Sequence, residues 1–298
     1  MEKRAIGNFC NTRFSMIGYP DDLGVKNVNG RLGAALGPEK FFEYFRKLNG
    51  KMPLLPGSFS ETQVKMGPDL EANYHRAIEA TEDQVRALTF RTDLLIVIGG
   101  GHDYAYPWIR GVVSALNKKN RIGCINIDAH FDLRPHEPVM TSGSPFRRLI
   151  EEKWLDPKNL IEFGIQNHCN HESLWTYADS KKIKTVPFET LRNGKAVPEF
   201  KRCLQALKKK VDCILISVDL DALSLAYAPG VSAPQAEGFS ASELFQMLEL
   251  AGAEPKVFST GFFELAPPLD VQDHTSRLAA KAAYQFIYSK SKRKGRRA

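Results

Sequence analysis

Three short runs constrain the fold of this chain more than any other feature: LLIVIGGGHD (94–103), RIGCINIDAHFD (121–132) and DCILISVDLDA (212–222). Each begins with nearly unbroken apolar residues and ends in acids or histidines. An unbroken apolar run of this length suits a strand buried on both faces, as in a parallel sheet covered by helices. Similar runs alternate along the chain with longer amphipathic segments. The pattern predicts strands near 13–18, 94–98, 122–127, 159–165, 183–187, 213–219 and 257–263. Helices are predicted near 38–48, 69–90, 103–118, 144–152, 171–180, 197–210, 241–251 and 274–289. The fold class is α/β: three α/β/α layers around a central, mostly parallel sheet. Residues 51–66 and 222–240, rich in Gly, Pro and Ser, read as loops.

With 298 residues and 43% hydrophobic content the chain can bury a large core. No linker, repeat or low-complexity block divides it, so residues 1–288 read as a single catalytic domain. The formal charge of +7 sits mostly in the last ten residues, SKSKRKGRRA, which hold six Lys or Arg and no acid. Removing them leaves 7 − 6 = +1, so 289–298 reads as a disordered, solvated basic tail and a nucleic-acid partner is not expected. No apolar run follows the charged N-terminus, so no signal peptide is expected. The longest apolar stretch, around 94–98, is far below the roughly 20 residues a membrane helix needs. Five cysteines (10, 124, 169, 203 and 213) lack paired spacing, and Cys124 and Cys213 fall inside apolar strands as inert core thiols. A soluble, cytoplasmic protein without disulfides is the expectation.

The charged strand ends carry the chemistry. Asp128, His130 and Asp132 stand at i, i+2 and i+4, a spacing that in an extended chain sends all three to one face. Asp219 and Asp221 repeat it, and His102 follows the glycine run. Ligands of open α/β sheets bind outside the carboxyl ends of the strands, where all six residues lie. One such cluster would read as turn or cap residues. Three at the same edge point to metal, because four crowded carboxylates repel one another and are costly to bury without cations. The oxygen-rich donor set with two imidazoles is unlike closed Cys/His zinc sites and suits Mn²⁺, with Co²⁺, Ni²⁺ or Fe²⁺ able to substitute. Two cations roughly 3.5–4 Å apart make hydroxide available near neutral pH, which implies hydrolysis at carbon or phosphorus.

The segments GGGHD, DAHFD and SVDLDALSLAYAPGVSAPQAEG resemble the three signature motifs of the arginase/agmatinase ureohydrolases, over about residues 15–288. The resemblance implies an arginase-like fold and two Mn²⁺ per subunit. It implies His102 and Asp132 on one ion, His130 and Asp221 on the other, and Asp128 and Asp219 bridging. It also implies a small-molecule amidine or guanidine substrate, attacked by a metal-bridging hydroxide, and a homo-oligomer, trimeric or hexameric.

Where arginases and agmatinases carry a His before Gly-x-Pro, this chain has Ser142. The phrases NVNGRLGAALGPEKFF (27–42), DAHFDLRP (128–135), SGSPFRRL (142–149) and FGIQNH (163–168) are similar to the formiminoglutamase branch. That branch cleaves N-formimino-L-glutamate, from histidine breakdown, to glutamate and formamide. Without a His at 142, Asp128 becomes the proton shuttle in this reading. Glu264 aligns with the family's Glu that grips the cationic group; its plainer role is an acid capping a turn. Arg134, Ser142 and Asn167 are placed as substrate contacts, Arg134 for the bidentate hold it offers a carboxylate. An agmatinase or guanidino-acid hydrolase releasing urea stays open as an alternative, as does an inactive arginase-fold scaffold.

The remaining motifs read more plainly. Arg31 suits a buried structural ion pair better than an anion contact. Gly30 and Gly33 serve backbone conformation, as no phosphate-binding glycine pattern is present. His168, Cys169 and His171 lack a ligand spacing, and His75, His136 and His274 read as surface or cap residues. Tyr104, Tyr106 and Trp108 follow at helical spacing as packing groups. The third motif departs from the common D-x-D-x-x-D-P at Ser224 and Leu225, which puts loop conformation in question but not the six ligands.

Overall fold

The structure, a computed structural model, describes residues 13–48, 59–89, 93–116 and 121–294. Its strands are β1 (Phe14–Gly18), β2 (Phe59–Gln63), β3 (Leu94–Ile98), β4 (Ile122–Ile127), β5 (Leu160–Ile165), β6 (Lys184–Pro187), β7 (Cys213–Asp219) and β8 (Val257–Phe263). They form one sheet in the order β2-β1-β3-β8-β7-β4-β5-β6, with every pair parallel. Between them run α1 (Leu23–Asn27), α2 (Gly37–Arg46), α3 (Leu70–Ala87), α4 (Ala105–Ala115), α5 (Pro145–Glu151), α6 (Glu172–Lys181), α7 (Ala196–Leu207), α8 (Ala241–Ala253) and α9 (His274–Lys294).

Alternation along each strand divides the core in two. Leu94, Ile96 and Ile98 face one layer with Phe41 of α2, Phe200 of α7, Leu244 of α8 and Ala279 of α9. Leu95 and Val97 face the other, with Ala77 of α3, Trp108 of α4, Phe146 of α5 and Leu174 of α6. The sheet is thus covered on both faces, which is why β3 is apolar without a break and β7 is apolar up to Ser217. Tyr104, Tyr106 and Trp108 are fully buried, as packing groups should be. Cys124, Cys203 and Cys213 are free and buried, and burial pushes the Cys124 and Cys213 thiols up, leaving them inert. Cys10 lies outside the described residues.

The structure departs from the sequence expectations in four places. Residues 59–63, expected as loop, form the edge strand β2; FSETQ carries one apolar residue, so nothing in its pattern marked it. Residues 51–58 of that expected loop, 90, 117–118 and 295–298 lie outside the described residues. The short helix α1 was unmarked too. Strand β4 ends at Ile127, so Asp128, His130 and Asp132 are not on a strand. Finally, α9 runs to Lys294, past the expected end at 289 and into the basic segment: Lys290 is buried and donates to the Val257 carbonyl at 2.9 Å.

The glycine run after β3 is set by close packing. A Cβ at Gly100 would lie 1.7 Å from the Asp21 carbonyl oxygen, and one at Gly99 would lie 2.2 Å from the Phe263 ring. Gly100→Ala should cost about 1–3 kcal/mol of stability, the usual penalty of overpacking. Urea denaturation of the two proteins checks this, and an unchanged midpoint would refute it.

Candidate active site

Four adjacent strands, β3, β8, β7 and β4, deliver the charged residues to one sheet edge. His102 opens a 3₁₀ turn (His102–Tyr104) ahead of α4, Glu264 follows β8, Asp219 ends β7 and Asp128 directly follows β4. Side chains curl the chain at two of these ends. Asp128 Oδ1 accepts the His130 N–H at 2.7 Å, and Asp219 Oδ1 accepts the Asp221 N–H at 2.8 Å. These are Asx-type turns, in which an aspartate bonds the backbone two residues on. They, and not strand alternation, bring His130 and Asp221 round to their neighbours. Asp132 (φ 52°) and Glu264 (φ 64°) occupy the left-handed region that non-glycine residues seldom use. Glu264 is pinned there: its N–H donates to the Gly100 carbonyl at 2.8 Å, and its Oε1 accepts the His102 N–H at 2.9 Å.

All six expected ligands converge, in two groups that share Asp128. His102, Asp128, Asp132 and Asp219 form one; Asp128, His130 and Asp221 form the other. His102 Nδ1 lies 3.1 Å from Asp128 Oδ2, 2.8 Å from Asp132 Oδ2 and 3.1 Å from Asp219 Oδ2. His130 Nδ1 lies 3.0 Å from Asp221 Oδ2. On the far side of the His102 ring, Nε2 is 2.7 Å from Ser217 Oγ, which directs Nδ1 at the carboxylates. Although three oxygens surround Nδ1, none is aligned to accept a hydrogen bond from it; Asp221 Oδ1 and Glu264 Oε2 are likewise buried without partners. A nitrogen lone pair encircled by carboxylate oxygens is a coordination shell, so the residues fit divalent cations.

Without cations the cluster holds protons. Burial, with the neighbouring charges of Asp221 and Asp128, pushes Asp219 well up. Burial raises Asp221 to about 6, with His130 opposing. Burial and the Asp219 charge push Glu264 up, and burial lifts the adjacent Asp103 to about 7. Burial alone would lower His102, but the carboxylates of Asp128, Asp132 and Asp219 hold it well above its ordinary value. Asp128 runs the other way: burial would raise it, yet His102 and His130 hold it below the usual range.

Above the ligands opens a cavity of about 430 Å³. Its base is made by His130, Asp132, Asp219, Asp221 and Glu264, and Arg134, Ser142 and Arg31 also line it. Asp128 is fully buried beneath it and is absent from its wall. Asn167 is not brought to the site: a 3₁₀ turn (Asn167–Cys169) leaves it exposed, its N–H donating to Glu189 at 3.3 Å. Asn170 lines the cavity instead, and braces the ligand loop by accepting the Phe131 N–H and donating to the Ala129 carbonyl. Arg31 is not buried and has no ion pair among the described residues; it is exposed and donates to the carbonyls of Ser232 (2.8 Å) and Val231 (2.9 Å). Among other residues passed over in sequence, Ser217 and Asn126 carried a usable signal. Each is a lone polar residue two positions before a ligand aspartate in an apolar strand.

The model of the Arginase family matches residues 12–288, and the chain belongs to that family. The formimidoylglutamase of Lysinibacillus sphaericus (strain C3-41) is 31% identical over 280 residues, covering 92% of this chain and 83% of the relative. The crystal structure of Trypanosoma cruzi formiminoglutamase with Mn²⁺ superposes with a TM-score of 0.83 at 28% identity, covering 95% of each chain. Bacillus subtilis formimidoylglutamase shares the fold, with a TM-score of 0.87 at 23% identity over 94% of this chain and 87% of its own.

The raised carboxyls have a consequence for stability. A carboxyl whose pKa is higher folded than unfolded binds extra protons in the native state, so stability falls as pH climbs from the unfolded value through the folded one. For Asp221 and Asp103 that window runs from about 4 to between 6 and 7. The Tm of metal-stripped protein should therefore drop between about pH 5 and pH 7, and saturating Mn²⁺ should flatten the decline. A metal-free Tm that rises over this interval, followed by calorimetry, would contradict the assignment.

Proposed function

We propose that this protein is a two-manganese amidine hydrolase that cleaves N-formimino-L-glutamate to glutamate and formamide, the formimidoylglutamase step of histidine breakdown. The observation that carries the reading is the opposed polarity of the cavity. Acids form its base, while the guanidinium groups of Arg31 and Arg134 line it without an acidic partner among the described residues. Such a cavity fits a molecule that is cationic at one end and carries carboxylates at the other. Formiminoglutamate is such a molecule, and relatives about 30% identical over nine-tenths of the chain bear the name formimidoylglutamase.

In this reading His102 and Asp132 would hold one cation and His130 and Asp221 the other, with Asp128 and Asp219 serving both. When bound, the pair would supply the charge that makes a water nucleophilic near neutral pH. Glu264 Oε2, which has no hydrogen-bond partner among the described residues, would accept an N–H of the protonated formimino group and turn its carbon toward the base of the cavity. Water adds to that carbon, the bond to the glutamate nitrogen breaks, and the nitrogen leaves with a proton. Asp128, the expected carrier of that proton, lies buried beneath the cavity; Asp132, the ligand acid that lines it, is the better-placed carrier from water to leaving group. Ser142 borders the cavity with a short hydroxyl, leaving room beside Arg134 for the substrate's carboxylates.

The same reading takes residues 1–288 as one catalytic domain of a cytoplasmic homo-oligomer. No helix among the described residues is long and apolar enough to cross a membrane. Leu225 (48% exposed) and Val271 (61%) border a surface groove, which supports an interface between copies. Light scattering should give a mass above the monomer's 33.4 kDa.

Mn²⁺-loaded protein offered N-formimino-L-glutamate, agmatine and L-arginine should release formamide and glutamate from the first and no urea from the others. Urea release without glutamate would overturn the substrate assignment. Glu264→Gln should lower kcat/KM by roughly 10²–10³-fold, as loss of a charge-stabilising contact does, while retaining both ions. Arg134→Ala should cost about 10–100-fold, chiefly in KM. Near-normal turnover in either variant would remove that residue from the site.

A further inference from the structure

A second polar layer lies directly under the ligands, and one member of it has no role so far. Register places Glu162 of β5 beside Asn126 of β4, and Asn126 beside Ser217 of β7. All three are fully buried. By strand alternation Asn126 and Ser217 share a face with Asp128 and Asp219, two residues further on. Such a row is costly inside a sheet of Ile, Leu and Val unless its groups are used. Ser217 is used, against His102 Nε2. Asn126 Nδ2 reaches two carboxylates at once, Asp128 Oδ2 at 3.1 Å and Glu162 Oε2 at 3.0 Å. Among the described residues Glu162 has no basic partner, and its Oε1 makes no hydrogen bond.

The amide shows what Glu162 can do. An asparagine side chain presents either NH₂ or C=O to a neighbour, and turning it over exchanges the two. Beside Asp128 only the NH₂ face is attractive. Glu162 accepts the second hydrogen of the same NH₂, so turning the amide over would break both of these bonds and set its oxygen against the Asp128 carboxylate. The acid on β5 thus locks the amide on β4 in the one orientation that supports the ligand common to both groups.

We propose that Glu162 is a positioning residue: through the Asn126 amide it orients Asp128, and so sets how tightly both cations are held. The inference rests on the two-cation reading above. Its test is titration of the metal-stripped full chain with Mn²⁺, following free Mn²⁺ by its paramagnetic resonance, with circular dichroism to verify folding. Glu162→Met keeps the length and removes the acceptor; it should weaken Mn²⁺ binding about 10–100-fold, the usual effect of losing a group that orients a ligand. Glu162→Gln keeps an acceptor oxygen and should bind close to the unaltered chain, a rescue that mere bulk would not distinguish. Adding Glu162→Met to Asn126→Leu should weaken binding no further than Asn126→Leu alone, since the effect passes through the amide. If the Met variant does not fold, Glu162→Val, suited to a strand, takes its place. A folded variant that loads both ions like the unaltered chain, or additive losses in the pair, would overturn the assignment of Glu162 alone. Failure of the unaltered chain to take up Mn²⁺ would overturn the two-cation reading, and this inference with it.

Discussion

Mutual repulsion among four carboxylates, held where little water can screen them, is the constraint around which this protein is built. Asp128, Asp132, Asp219 and Asp221 are all buried, and in a low-dielectric setting like charges at such separations cannot all persist without cations. The fold maintains this arrangement by rigidity. A wholly parallel sheet packed on both faces fixes the ends of β3, β8, β7 and β4 relative to one another. Asx turns at Asp128 and Asp219 then aim the following residues inward without requiring mobile loops. Even the acid that forms part of the cavity base is tied to the cluster, since Glu264 holds the backbone N–H of His102.

That dependence explains why the site was largely legible in the sequence and why parts around it were not. Strands buried on both faces are mostly apolar, so LLIVI and CILIS announced β3 and β7, and ligand residues stand out against such a background. Edge strand β2 buries little, so FSETQ carries no pattern to read. Asp128, His130 and Asp132 were correctly grouped by their spacing but for a mistaken reason, because turns also return alternate residues to one side. Asn167 and Asn170 differ by three positions in one loop, and only the 3₁₀ turn between them decides which faces the cavity. Arg31 could not be assigned from composition, since its partners are the backbone carbonyls of residues some two hundred positions away. The basic segment misled for a different reason: a buried lysine whose ammonium finds a carbonyl extends a helix as well as any apolar residue.

In the proposed reading, the chemistry and the selectivity fall on different structural elements. The acidic base comes from strand ends and short turns inside the rigid sheet edge. The cationic wall comes from longer connections: Arg31 from the segment between α1 and α2, and Arg134 and Ser142 from the segment between β4 and α5. Here lies the significance of Ser224 and Leu225, which replace the family's Asp and Pro. Both backbone amides are engaged, Ser224 to the Phe239 carbonyl and Leu225 to that of Gln235, so they close the neck of the 222–240 loop. That loop carries Val231 and Ser232 to the guanidinium of Arg31 and places Ser232 and Ala233 in the cavity wall. A change at the neck can therefore alter where the Arg31 charge is presented while leaving Asp219 and Asp221, fixed by β7 and its turn, where they are. Substrate preference can in this way diverge within the family around an unchanged metal-binding base.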